Sequence, residues 1–480
     1  MNVFLRILSM ALFVTAAPAW AEWPAESAAL GARDHPKILQ KFGGEVRDQA
    51  LTDYVSRIGA QMVAVSSRPD ERWVFTVLDS PEVNAFALPG GYIYVTRGLL
   101  ALANNESELA AVLAHEVIHV VEYHVEDRLE ANKDAMVNGA LSALVTGIFG
   151  GGENRLGDAV RSGVETTFGQ IGSYSKEQEF AADAGGIELL LAAGYRPAAQ
   201  ADFLASMTAN AALKASIAGR EYNETTAPMF ANHPAPAERQ LRALALAGDR
   251  DGVRDSEIYL SMIDGMVFGQ SARGGFVRGQ SFVHNDLGFS FVAADGLRIQ
   301  NAARQINILG PNRSTLIMSG GRDEGSLTDA LQEWFAQIPR SERQSRRLEN
   351  IRTLEINGLD AATGTLRMRK RGQRSTLRLT VIRFNGGLVR FAGNVLRGDD
   401  DSAVLHRDTV QSFRALSEAG RSEVAEVYLS VHRVRAGESV ASLASEMAVN
   451  SHAEAWFRVL NGLDEDGEPA RGSLVKLILP

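Results

Sequence analysis

Residues 111–124, Ala-Val-Leu-Ala-His-Glu-Val-Ile-His-Val-Val-Glu-Tyr-His, set His115, Glu116, His119 and His124 in an otherwise apolar run. On a helix turning about 100° per residue, His115 and His119 project about 40° apart, so their imidazoles can converge on one point. Glu116 falls between them and an apolar stripe of Leu109, Val112, Leu113, Val117, Val120 and Val121. Two histidines four residues apart, with glutamate after the first, form HExxH. In that arrangement neutral imidazoles hold zinc and the carboxylate takes a proton from metal-activated water. His124 lies five residues past His119, about 140° round a continuous helix and within the stripe. It reads as a core histidine or a neighbour of the ligands.

Such a site needs a third ligand, and Tyr-Ser-Lys-Glu-Gln-Glu-Phe-Ala-Ala-Asp at 174–183 offers one. A helix places Glu179 and Asp183 on one face. Glu179 completes a two-histidine, one-glutamate set. Asp183 can hydrogen-bond the far nitrogen of a ligating histidine and fix its tautomer. Glu177 competes for the ligand role, but position 181 is alanine, so it has no carboxylate four residues on. Ala181, Ala182 and Gly185 allow this helix to pack closely on the first.

These two helices must be held in place. Residues 73–80 and 83–100 read as a strand, then strand, Pro89-Gly90-Gly91 turn, strand and the start of a helix. Asn105 with Glu108 makes an N-cap pair for the histidine helix. Helical periodicity dominates from about 105 to 270. The apolar run at 139–151, within 131–172, is either a lid over the cleft or a core helix. A Gly/Arg/Ser-rich linker at 269–280 precedes short alternating segments over 275–425, an α+β domain to which the sequence assigns no chemistry. The final segment, 430–480, has a strand–helix–helix–strand pattern.

A chain of 480 residues suits two or three domains, and its net charge of −9 argues against a nucleic-acid partner. The absence of cysteine excludes disulfides, thiolate ligands and a cysteine nucleophile. Residues 1–21 have the charged start, apolar run and small-residue cleavage site of a signal peptide, the other reading being an N-terminal anchor. No later segment is long enough to span a bilayer. Export to a bacterial periplasm, without a transmembrane anchor, is the expectation.

The segments Asn84–Leu100, Asn104–His124 and Tyr174–Asp183 resemble zinc metallopeptidases of the HtpX/BepA type, a family that also contains the CAAX prenyl endopeptidases. The likeness covers about residues 30 to 245. It implies His115, His119 and Glu179 as zinc ligands, Glu116 as base and Asp183 as the group that orients a ligand. Ala231–Leu241 matches the family's His-Pro…Arg motif. By that likeness His233 reaches the active site, stabilising an oxyanion or occupying the open position on zinc. The family usually has glycine where this chain has Ile118, and arginine where it has Tyr123. The segment Asn84, Ala85, Phe86, Ala87 resembles the edge strand that gluzincins such as thermolysin present to substrate, where an extended peptide pairs with backbone groups. An ordinary hairpin strand is the other reading. Residues 430–480 resemble a LysM module, with Gly437-Glu438-Ser439 and Asn461 in place. That likeness implies binding to N-acetylglucosamine glycans of peptidoglycan, or a module kept only for packing.

The expected architecture is therefore α+β: a signal peptide (1–21), a mostly helical, zincin-like peptidase domain with a small sheet (22–270), an α+β domain (275–425) and a LysM-like βααβ module (430–480). The expected function is a zinc endopeptidase acting on unfolded, misassembled or stalled envelope proteins. Two alternatives stand beside it, a chaperone or assembly factor with a shut zinc site and a glycan-tethered binding protein with a relict peptidase domain.

Overall fold

The computed structural model describes residues 23–131, 173–223, 233–234, 236–302, 305–338, 340, 343–370, 373–417, 420 and 424–480. The signal segment expected at 1–21 and the apolar run at 139–151 lie outside them.

Two helices, α1 (Ala25–Lys41) and α2 (Gln49–Ala64), lead into strands β1 (Val74–Leu78), β2 (Ala85–Leu88) and β3 (Tyr92–Thr96). The order is β1-β3-β2, with β1 parallel and β2 antiparallel to β3, so β2 is an edge strand. The expected Pro-Gly-Gly turn joins β2 to β3. Gly90 there has φ 79°, and a Cβ on it would lie 2.9 Å from Ala28 Cα. Glycine thus both turns the chain and lets α1 lie on the hairpin.

Then come α3 (Arg97–Leu102), α4 (Glu106–Val121), α5 (His124–Ala131), α6 (Lys176–Ala192), α7 (Ala199–Ile217), α8 (Pro236–Ala247) and α9 (Ser256–Ile263). The Asn105 side chain accepts from Glu108 N at 3.0 Å, the cap expected for α4. The sequence suggested one buried stripe on α4. Instead every residue from Glu106 to Val120 is buried, because α2, β2, α6 and α7 all pack on it. Its polar first turn is satisfied internally: Glu106 accepts from Tyr54 (2.6 Å), Tyr195 (2.5 Å) and Arg57 (3.0 Å).

After the short strand β4 (Val267–Phe268), the chain forms β5 (Phe276–Arg278), β6 (Ser281–His284), β7 (Phe289–Val292), β8 (Arg298–Ala302), β9 (Gln305–Leu309) and β10 (Thr315–Arg322). Helix α10 (Leu327–Gln337) follows, then β11 (Glu349–Ile356), β12 (Leu359–Lys370), β13 (Gln373–Phe384), β14 (Gly387–Leu396), α11 (Asp400–Gln411) and β15 (Arg414–Ala415). Seven of these strands make an antiparallel sheet, β11-β12-β13-β14-β10-β9-β8. On one face it packs Leu366, Leu377 and Leu379 against Leu331 and Trp334 of α10. Part of the other face meets the sheet β15-β7-β6-β5 and α11 through Phe289, Phe291, Phe391, Val410 and Phe413.

His406 of α11 is buried with neither ring nitrogen hydrogen-bonded among the described residues. Burial lowers its pKa to about 4, against the opposing pull of Asp399. Below about pH 6.5 the unfolded chain takes up a proton that the folded chain refuses until about pH 4. Its contribution to stability is therefore full above pH 6.5 and lost as pH falls through that window, by roughly 2–3 kcal/mol. Urea midpoints at pH 7 and pH 5 should separate more in wild type than in His406→Leu.

The chain ends in β16 (Val427–Arg433), α12 (Val440–Ser445), α13 (Ala453–Leu460) and β17 (Leu474–Leu479). β17 pairs antiparallel with β16, and β16 pairs in turn with β4. Leu429, Leu443, Phe457 and Ile478 share one hydrophobic core with Leu109 and Leu113 of α4. Lys476, buried in β17, donates from Nζ to the carbonyls of Ala101 (2.9 Å), Leu102 (3.2 Å) and Ala103 (2.7 Å), capping the end of α3. Burial pushes Lys476 down to about 7 and Glu108 up to about 7, and the charge of each opposes the shift of the other.

Candidate metal centre

Three pieces of chain meet at the middle of α4. From α4 come His115 and His119, from α6 comes Glu179, and the segment before α8 brings His233. All four are buried. His115 Nε2 lies 3.0 Å from His119 Nε2 and 3.3 Å from His233 Nδ1. Glu179 Oε1 lies 2.9 Å from His233 Nδ1 and 3.5 Å from His119 Nε2. Ligands about 2.0–2.1 Å from a tetrahedral ion stand roughly 3.3–3.4 Å apart. The donor set and its spacing fit one such ion.

The surrounding groups fix these four. His115 Nδ1 is 3.0 Å from Asp183 Oδ1, a contact that favours a proton on Nδ1 and leaves the Nε2 lone pair for the cluster. Arg239 of α8 grips Asp183 through Nε (2.7 Å) and a second nitrogen (2.8 Å), and reaches Glu179 Oε2 at 2.5 Å. Gln200 adds a bond to Asp183 at 2.8 Å. Burial alone would raise both carboxylates. The Arg239 guanidinium, with help from the histidines, instead holds Glu179 well below the usual range and Asp183 at about 2. Both stay ionised without being exposed to water.

His119 is held differently. Its ring stacks on Tyr174, centroids 3.7 Å apart at 15°, and Arg128 lies 4.0 Å over the other ring of that pair. Its Nδ1 is 3.1 Å from Nδ1 of His124. On a continuous helix His124 falls within the apolar stripe, a core histidine or a neighbour of the ligands, and the structure makes it the neighbour. Helix α4 stops at Val121 and Tyr123 turns left-handed (φ 60°), which swings His124 back beside His119. Arg68 secures that strained turn, bonding the Tyr123 hydroxyl and lying 5.0 Å over its ring.

Glu116 is buried next to the cluster, its Oε1 3.6 Å from His233 Nε2 and its Oε2 without a hydrogen-bond partner among the described residues. Glu177, the competitor for the ligand role, is exposed on the outer side of α6. Ala85 and Phe86 lie buried in β2, the edge strand packed against α4. Asn84 is half-buried just before it, and its backbone bonds Thr96 rather than the open side. The roles of Tyr174 and Arg239 are not apparent from the sequence. The signal for Arg239 was its place six residues past His233, one turn into a helix opened by Pro236.

Ile118, where glycine was expected from the resemblance, is accommodated by α6. A Cβ on Gly185 would sit 2.8 Å from Ile118 Cδ1, and one on Gly186 3.3 Å from His115 N. Gly185→Ala should cost about 1–3 kcal/mol by overpacking, and Ile118→Ala should relieve most of it. Thermal melts of both single variants and the double variant measure that coupling.

Residues 49–247 match the model of peptidase family M48. The beta-barrel assembly-enhancing protease of Escherichia coli (strain K12) is 28% identical over 196 residues, 40% of this chain and 38% of that protein. The mitochondrial metalloendopeptidase OMA1 of Schizosaccharomyces pombe is 32% identical over 165 residues, 34% of this chain and 46% of that protein. The one from Arabidopsis thaliana is 35% identical over 126 residues, 26% and 24% of the two chains. The chain thus spans less than half the length of these relatives. The metallopeptidase resemblance read from the sequence is matched, and the family match ends before β4.

Proposed function

We infer that residues 49–247, a peptidase family M48 domain, hydrolyse peptide bonds as an endopeptidase using one bound zinc ion. The convergence of His115, His119 and Glu179 beside the buried, unpaired Glu116 oxygen carries this reading. Zinc held by those three side chains would polarise a peptide carbonyl and acidify water. The protein's own part is to prepare the groups around it. Asp183 keeps the His115 proton on Nδ1. Arg239 keeps Glu179 charged. Glu116 accepts a proton on its free carboxylate oxygen and delivers it to the departing amine. β2 stands last in its sheet beside α4 among the described residues, and an extended, unfolded segment would pair with its backbone there.

His233 sets the resting state. Its Nδ1 stands among the three ligand atoms, which favours filling the fourth corner over steadying an oxyanion. A substrate carbonyl would take the place that His233 fills among these donors, so turnover would require His233 to move away. The same observation supports a second reading, an assembly factor whose site stays shut. The clients in either case are misfolded or stalled envelope proteins in the periplasm. The likeness to the beta-barrel assembly-enhancing protease of E. coli and the signal-like residues 1–21 support this. No helix among the described residues is long and apolar enough to cross a membrane. Attachment to peptidoglycan through residues 430–480 is part of the proposal, and the core these residues share with α4 equally supports a packing role.

Casein digestion by the purified chain tests the reading. A chelator should stop cleavage, zinc should restore it, and His233→Ala should cut several-fold faster than wild type. If wild type and His233→Ala each bind one zinc and neither cuts, the assembly-factor reading replaces it.

A further inference from the structure

Charge is divided unevenly along this chain. Residues 275–425 carry 22 Lys and Arg against 16 Asp and Glu, a net of 22 − 16 = +6, within a chain of 49 against 58. All but one of those 22 cations are arginine. Strand register collects several of them. Arg369 stands opposite Arg374, Arg367 opposite Thr376, Thr365 opposite Arg378, and Arg352 opposite Thr363. Positions that pair, and those two residues along, share a face, so Arg352, Arg367, Arg369, Arg374 and Arg378 project from one side of β11, β12 and β13.

Farther along the same side, Ala361, Ile382 and Val389 pass under the four-stranded sheet. The arginine end stays uncovered: Arg352, Arg367, Arg369 and Arg374 are exposed and Arg378 is half-buried. Arg407 of α11 borders it: burial first, then the charges of Arg352 and Arg407, lower the pKa of Arg378. Glu349 is the carboxylate at these register positions, and Arg367 occupies it at 2.8 Å. Among the described residues no carboxylate pairs with Arg352, Arg369, Arg374 or Arg378. Like charges placed directly opposite cost a sheet stability, so nothing within the fold accounts for this arrangement.

We propose that this uncovered sheet end is a docking surface for the phosphate groups of an anionic lipid bilayer. Strands about 4.8 Å apart, with alternate residues about 6.7 Å apart, set the guanidinium groups in a flat array suited to many phosphates at once. Each planar guanidinium pairs with phosphate through two parallel bonds. Thr363, Thr365 and Thr376 lie between the arginines. No aromatic side chain interrupts them, as base stacking would need, and no large apolar anchor, as a protein interface would need.

The test is co-sedimentation of the full chain with phosphatidylcholine vesicles, with and without phosphatidylglycerol. Wild type should pellet only with phosphatidylglycerol, and less as salt rises. Each arginine near an anionic surface is worth about five-fold in partition, so Arg352→Gln, Arg369→Gln and Arg374→Gln together should weaken binding about a hundred-fold. Melting temperature and casein digestion by that variant should stay as in wild type. Absence of wild-type binding to the anionic vesicles overturns the proposal, as does a triple variant that binds like wild type. Preference for a single-stranded oligonucleotide over vesicles at equal salt would assign the surface to nucleic acid instead.

Discussion

Glu116→Gln should retain one zinc per chain and lose casein cleavage by about 10²–10⁴-fold. The amide has the shape of the carboxylate but accepts no proton, so the loss falls on the chemical step. It corresponds to roughly 3–5 kcal/mol of transition-state stabilisation. Metal content should hold, because none of the four clustered donor atoms belongs to Glu116. Removing a neighbour of the ligands gives the opposite pattern: Asp183→Asn should weaken metal affinity about 10–100-fold, because His115 loses the partner that sets its tautomer. Metal analysis beside initial rates separates the two. Loss of zinc from Glu116→Gln would show that the glutamate is a ligand, and the assignment of a base would fail.

The second large effect lies far from the cluster in sequence. Lys476→Met should cost about 3–5 kcal/mol, because it removes the cation that favours ionised Glu108 against burial and leaves three carbonyls at the end of α3 without their donor. Adding Glu108→Gln should recover more than 1 kcal/mol of that loss, as expected when each charge favours the other. A chain stopped after Glu426 should not fold its peptidase domain cooperatively, since Leu429, Leu443, Phe457 and Ile478 complete the core that holds α4. Urea denaturation of these variants, followed by tryptophan fluorescence, measures each step. Additive single-variant losses would mean that Lys476 and Glu108 do not act on each other.

The candidate site was legible because it is local. His115, Glu116 and His119 fall within five residues, Glu179 and Asp183 within five more, and helical periodicity alone aims each set. The cap at Asn105 and the turn at Gly90 were legible for the same reason. What the sequence hid depends on contacts between distant segments or on a break in regularity. Tyr123 adopts a left-handed conformation that glycine usually takes, so nothing in its type announced the turn that returns His124 to His119. Burial on every side of α4 follows from partners as far off as β17. The antiparallel register that gathers five arginines joins residues that look scattered when read along the chain.

The clasp between β17 and the start of α4 also sets an order in time. Leu109 and Leu113 leave the ribosome more than 300 residues before Leu429, Leu443, Phe457 and Ile478, which finish their shared core. At about 5–20 residues per second, the helix bearing His115 and His119 waits roughly 15–70 seconds for its last wall. Until Lys476 arrives, the end of α3 lacks its donor and Glu108 the cation that favours its charge. The helix that carries His115 and His119 is thus enclosed only when residues more than 300 positions downstream of Leu109 and Leu113 reach it.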